Sequence, residues 1–327
     1  MLFGVRGEYS CPSGELYSGG GGSVDVLRTT FSGDDRQLDW VHLTAPGPEE
    51  VADVLVQDGI VLPPTMPGSG RAEFDRYPEF VYLRFFKLHA ETLDHHTTEA
   101  SAVHFVVTKN QIVSWSMCAD VAADFRLTRK KLTMHPDLIR SANHLAYYVV
   151  DDLLEQAFPF FDRFNDKVSE VEHLTLHSDN DRKIKEEIFR LKRIIMRVRR
   201  ILGSERDVAY QLSRYWSGEP HMETVYSFEL YDHVIRLSET ADTYREMMDT
   251  VLDVYLSSVS NRLNEIVKTL TIVTALFMPA SVIAAIYGMN FDHMPGADNP
   301  WGFHVVILSV LLISALLLWI FKRRKWI

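Results

Sequence analysis

If the segment between Asp242 and Ala285 is helical, one set of its side chains falls on a single narrow stripe. At 100° per residue, Asp242, Asp249, Asp253, Asn264, Thr271, Met278 and Ala285 line up. Their steps of 7, 4, 11, 7, 7 and 7 residues match the repeat of helices packed side by side. Glu246 and Thr274 sit near its edges. Carboxylates come first, then an amide and hydroxyls, and the far end carries no charge. Rings of carboxylates concentrate cations, while uncharged oxygens let an ion pass without trapping it. Three readings follow. The stripe is a solvated acidic face that coincides with a helix–helix contact, or one wall of a cation path. In the third, Asp249 and Asp253, one turn apart, hold an ion in a membrane-tethered sensor that does not conduct.

The elements that must carry this stripe include two long uncharged segments. Thr269 to Phe291 and Asn299 to Phe321 contain no Asp, Glu, Lys or Arg. Each exceeds the roughly 20 apolar residues that a helix needs to cross about 30 Å of hydrocarbon. The segment between them holds Asp292, His293 and Asp298 but no Lys or Arg. Basic residues lie on the other side: Arg262 and Lys268 before the first span, Lys322-Arg323-Arg324-Lys325 after the second. Short loops rich in Lys and Arg stay cytoplasmic, so both termini are expected there, with the chain in the plasma (inner) membrane. Trp301, Trp319 and Trp326 suit interfacial anchors. Two spans cannot enclose a pore within one chain, so a path requires several copies around an axis.

The expected organisation is a cytoplasmic α/β and helical region over 1–224 and a stalk helix continuing into the first span over 225–290. An external loop at 291–300, a second span at 301–321 and a basic tail at 322–327 complete it. In the first region, 81–86 and 102–108 read as strands, and Lys109-Asn110 turns the second into another at 111–116. From about His144 to Tyr215 the pattern becomes helical. Lys183 to Arg200 is rich in Lys and Arg, but Ile184, Ile188, Leu191, Ile195 and Val198 form one apolar face, which predicts an amphipathic helix with a solvated basic side. A net charge of -10 disfavours a nucleic-acid partner. Ser217-Gly218-Glu219-Pro220 breaks the chain, and no Gly or Pro follows from His221 until Pro279.

Enzyme chemistry has little support. The Gly19 to Gly22 run lacks the Lys-Ser/Thr partner of a phosphate loop, and no Ser/His/Asp or Cys/His arrangement stands out. Cys11 and Cys118 are too few for a disulfide framework, which suits a reducing compartment.

Tyr287-Gly288-Met289-Asn290, at the outer end of the first span, resembles the Gly-Met-Asn signature of the CorA magnesium channel family. The resemblance continues in order through Tyr231-Asp232-His233, the run from Leu252 to Asn261, Phe277-Met278-Pro279, Phe291, Met294-Pro295 and the ending Lys325-Trp326-Ile327. It is close over about the last hundred residues. It implies a homopentamer with an α/β/α cytoplasmic funnel, a long stalk helix lining the pore, and a second transmembrane helix outside it. By the same resemblance Gly288, Met289 and Asn290 form the selectivity ring, where a hydrated ion is held by neutral oxygens. That suits Mg²⁺, which gives up water reluctantly. Asn264, Val267, Leu270, Met278 and Ser281 match pore-lining positions. Thr271 and Thr274 belong to the same stripe, and Asp253, with Asp242 and Asp249, forms its cytoplasmic acidic end.

Two departures from the family pattern stand out. Met294-Pro295 is followed by Gly296-Ala297-Asp298 where many members carry Glu, so loop acidity rests on Asp292 and Asp298. The stretch 61–67 (VLPPTMP) has no acid to pair with Glu229 as a regulatory metal site. The expectation is Mg²⁺ as cargo and as a candidate regulatory ion, with no cofactor required. The alternative is a ZntB-like branch of the same superfamily carrying Zn²⁺, Co²⁺ or Ni²⁺.

Overall fold

A computed structural model of the chain describes residues 25–32, 37–57, 60, 70–94, 100–136, 139–177, 181–219, 222, 224–289, 301–324 and 326. By its packing the chain divides into two compact units, Met1–Leu252 and Asp253–Ile327.

The first unit is built on a six-stranded sheet: β1 (Asp25–Ser32), β2 (Gln37–Thr44), β3 (Glu73–Arg76), β4 (Val81–Leu88), β5 (Ala100–Val107) and β6 (Gln111–Ser116). Their order is β1-β2-β6-β5-β4-β3. Neighbours run antiparallel except β2 and β6, which are parallel and align Trp40 with Ile112. The expected strands at 81–86, 102–108 and 111–116 are β4, β5 and β6. The turn between the last two is tied at Thr108, whose N–H donates to the Gln111 carbonyl at 2.9 Å. Its hydroxyl oxygen accepts from the Gln111 N–H at 3.1 Å.

Alternation along the strands buries both faces of the sheet. One face presents Val41, Leu43, Tyr82, Val106, Val113 and Trp115 to Val51 and Leu55 of α1 (Pro48–Gln57). The other presents Trp40 and Phe105 to Phe125 of α2 (Ala119–Met134), with ring centroids 5.3 and 6.2 Å apart. Helix α3 (Ala142–Glu155) is capped by Ser141, whose hydroxyl accepts from the His144 N–H at 3.2 Å. A helix layer on each side gives the α/β/α arrangement expected from the sequence.

Helices α4 (Phe158–His177) and α5 (Asp181–Trp216) follow. Ile184, Ile188, Leu191, Ile195 and Val198 of α5 are all buried, as the apolar periodicity predicts. Helix α6 runs unbroken from Thr224 to Tyr287, one residue earlier than the expected start, and passes through Pro279. Leu230, Val234, Leu237, Ala241, Met248 and Val251 bury its first part in the first unit. This burial keeps the first part of α6 in the first unit, so that the packing boundary at Leu252 and Asp253 falls inside the helix.

The second unit holds the rest of α6 and α7 (Gly302–Arg323). Both helices are long and apolar enough to cross a membrane, and no residue within either span is buried in the chain. Helix α7 ends on Lys322 and Arg323. The Gly19 to Gly22 run, the stretch 61–67 and the loop at 291–300 lie outside the described residues.

Candidate functional site

Within the second unit, the uncharged part of the stripe lies on exposed helix surface. Asn264, Thr271, Thr274 and Ser281 are exposed, and Val267, Leu270 and Met278 are 60%, 64% and 64% exposed. On a wheel of 100° per residue these seven fall within roughly 120° of one face. For large apolar residues such exposure calls for a partner of lipid or protein, because water solvates them poorly.

The hydroxyls on this face are oriented by their own helix. Thr271 donates to the Val267 carbonyl at 2.8 Å, Thr274 to that of Leu270 at 2.9 Å, and Ser281 to that of Phe277 at 3.0 Å. Each hydroxyl proton is spent on the backbone four residues earlier, so the oxygen faces outward as an acceptor. Such a face offers lone pairs to the hydrogens of water around a cation, or to the cation itself, without a charge to hold it.

Gly288 follows the end of α6, its N–H donating to the Ala284 carbonyl at 2.9 Å. A Cβ at this position would stand 3.2 Å from that same oxygen, closer than such contacts ordinarily come. Met289 is exposed beside it. Asn290, Asp292 and Asp298 lie outside the described residues.

The acidic part of the stripe has partners. Asp249 Oδ1 accepts from Lys192 Nζ at 2.6 Å, and Asp242 accepts from Nε of Arg199. Both cations come from α5. Arg245 of α6 adds its guanidinium between the two acids, 3.8 Å from Asp242 and 3.6 Å from Asp249. Asp253 is exposed. Sequence reasoning grouped Lys192 with a solvated basic side and gave Arg199 no separate role. Their spacing held the signal: Lys192 and Arg199 are seven residues apart, Asp242 and Asp249 likewise, and they pair in opposite chain order. That is the signature of two antiparallel helices.

Glu229 is held by α3, accepting from the Tyr147 hydroxyl at 3.0 Å. Burial, then the nearby Asp151 and Glu229 carboxylates, push the Tyr147 phenol well above its ordinary range, so it remains a donor. A further group of ligand-type side chains, His89, Cys118 and Asp120, has its donor atoms within 4.8 Å of one another. Cys118 is disulfide-bonded, which removes a thiolate ligand. His89 Nε2 is hydrogen-bonded to Ser101 at 2.8 Å, and burial lowers the imidazole pKa to about 4.

Residues 35–323 match the protein family described as "CorA-like Mg2+ transporter protein". The cobalt/magnesium transport protein CorA of Thermotoga maritima is 31% identical over 312 residues, covering 93% of this chain and 88% of that protein. The zinc transport protein ZntB of Pectobacterium carotovorum is 22% identical over 293 residues, covering 88% and 84%. Among solved structures, the CorA magnesium transporter from Methanocaldococcus jannaschii shares the fold with a TM-score of 0.72 at 22% identity. That likeness covers 90% of this chain and 93% of the other.

Proposed function

The chain belongs to the CorA-like Mg²⁺ transporter family and is a membrane transporter of divalent cations, and we propose that it is a homo-oligomeric Mg²⁺ channel that admits the ion down its electrochemical gradient. The observation that carries this reading is the exposed face of α6 in the first span, where Thr271, Thr274 and Ser281 present oriented acceptor oxygens and no charge. A hydrated Mg²⁺ exchanges its water slowly and is best passed by neutral oxygens that bond the water shell. Val267, Leu270 and Met278 on the same face supply apolar rungs, and a ring of such residues gates by dewetting. Several copies are required to close the path, because among the described residues one chain contributes α6 and α7 as spans.

Gly288, Met289 and Asn290 form the outer selectivity ring in this reading, with Asp292 and Asp298 in the external loop. Both termini are cytoplasmic, in keeping with Arg262 and Lys268 before the first span and Lys322 to Lys325 after the second. The membrane potential supplies the driving force. A divalent ion gains about 4.6 kcal/mol per 100 mV of inside-negative potential, at about 2.3 per charge. No nucleotide is needed for uptake on that scale.

The test is Mg²⁺ influx into liposomes holding the purified protein under an imposed inside-negative potential, repeated with Asn290→Ala. Influx in the parent and its loss in the variant are expected. An inert parent protein sinks the channel reading and leaves a non-conducting cation sensor. A Zn²⁺ carrier of the ZntB type is favoured by two observations: relatives of that name align over most of the chain, and 61–67 lacks acids. Zn²⁺ influx without Mg²⁺ influx, accelerated by a proton gradient, selects it.

A further inference from the structure

We propose that Lys192 and Arg199 of α5 are positioning residues for ion flow, gripping Asp249 and Asp242 of α6 and thereby setting the rotation of the helix that lines the path. This rests on the channel reading above. The grip has two rungs: Lys192 Nζ to Asp249 at 2.6 Å, and the Arg199 guanidinium to Asp242. Arg245 ties the rungs together from within α6, reaching both acids and also Glu246 at 3.4 Å. The network therefore holds three cations and three carboxylates and is electrically closed. A divalent ion finds no spare carboxylate charge at Asp242 or Asp249, so these acids serve as handles rather than as a cation store.

What the handles control follows from helix geometry. Helix α6 is one element of 64 residues. At 100° per residue Asp242 and Asp249 share an angular stripe with Thr271, Thr274, Met278 and Ser281. Holding a helix by one face fixes its rotation about its own axis, because the two rungs lie two turns apart and resist twisting as well as sliding. A single exposed ion pair is weak. Two rungs in register, bridged by a shared guanidinium, act as a unit, and that cooperativity separates a grip from two incidental pairs.

The experiment uses the full-length protein and the variants Lys192→Met, Asp249→Asn and their combination, with Arg199→Met, Asp242→Asn and their combination for the second rung. Two readouts are taken: Mg²⁺ influx into liposomes, and hydrogen exchange of the α6 segment 240–252. Each single change is expected to raise exchange in that segment and to change maximal influx by two- to fivefold. The Mg²⁺ concentration at half-maximal influx should stay constant, since the ion does not bind these acids. Each double variant should match its larger single, and Lys192→Arg should restore the parent behaviour. Additive effects within a rung, or singles with unchanged exchange, overturn the proposal. A shift in half-maximal Mg²⁺ also overturns it, because the acids would then be binding cargo. If the parent protein passes no ion while the exchange cycle is non-additive, the channel reading and the role in flow fall together, and only the grip remains.

Discussion

Glu205 Oε1 accepts the backbone N–H of Phe86 across 2.7 Å, joining the middle of α5 to strand β4 at a point where no strand among the described residues pairs with it. Strand β3 pairs with β4 only from Glu73 opposite Arg84 to Arg76 opposite Val81. Beyond Arg84 no strand among the described residues pairs with that edge of β4, and an orphaned N–H would be costly in the interior. The fully buried Glu205 fills the gap, leaving Oε2 without a partner. Burial raises its carboxyl pKa to about 8, with the Phe86 bond opposing the rise.

The sign of the resulting pH dependence follows directly. The folded carboxyl keeps its proton up to about pH 8, whereas in the unfolded chain it ionises near pH 4.3. Its favourable contribution is therefore full below the unfolded pKa and is lost as pH rises through 8. Glu205→Gln keeps the acceptor and removes the titration. Its melting temperature should equal that of the parent near pH 4 and exceed it by at least about 2 °C at pH 8. Identical pH profiles would show that Glu205 ionises freely in the fold.

Arg129 is 7% exposed and donates to the carbonyls of Leu27 and Trp40, with its guanidinium 4.6 Å from the Trp40 ring centroid. Losing a buried cation that satisfies two backbone acceptors should cost about 2–4 kcal/mol. Arg129→Met is expected to lower the denaturant midpoint accordingly, and Arg129→Lys to fall between the two, since a lysine keeps the charge but not the planar guanidinium that lies over the Trp40 ring.

Thr274→Val keeps the volume of the side chain and removes the outward oxygen. If that oxygen meets the water around a passing ion, Mg²⁺ influx should fall about three- to tenfold, the worth of one hydrogen bond in the rate. Ser281→Ala should behave alike. Unchanged influx in both variants would separate these hydroxyls from the path.

Gly288→Ala places a methyl 3.2 Å from the Ala284 carbonyl oxygen, so the end of α6 must give by a few tenths of an ångström. If this helix end belongs to the selectivity ring proposed above, displacement of this size should reduce Mg²⁺ influx about tenfold without lowering the melting temperature by more than about 2 °C. Equal influx would argue that the helix end does not set the ring.

Much of this molecule is legible in its sequence because its strongest signals are long. The spans are visible as uncharged runs, and α5 shows its buried face through residues such as Ile188 and Val198. Strands β4 to β6 are announced by β-branched and aromatic clusters around Lys109-Asn110. Pairings between distant segments are less visible. Strands β1 and β2 carry Asp, Arg, Thr and Ser among their apolar residues and read weakly alone. Nothing local marks Glu205, a charged residue type on a charged helix, as one that strand β4 needs. Lys192 and Arg199 went unnoticed because their role exists only against α6. The roles proposed for Asn290 and Asp298 come from resemblance to the family, because a lone loop residue carries no periodic pattern of its own.

The parallel seam between β2 and β6 has a consequence for how the chain is made. Trp40 donates to Ser114, 74 residues later, at 3.0 Å in the buried heart of the sheet. On one side of the seam β1 and β2 form a hairpin, and on the other β3 to β6 follow one another as antiparallel neighbours. Each half can form as it leaves the ribosome, but β2 keeps a bare edge until β6 has been synthesised. Closing so long a loop is slow compared with forming a hairpin. The nascent protein thus passes through an interval in which the β2 edge and Trp40, whose partners Ser114 and Phe125 come later in the chain, stand uncovered, and a slower ribosome lengthens it.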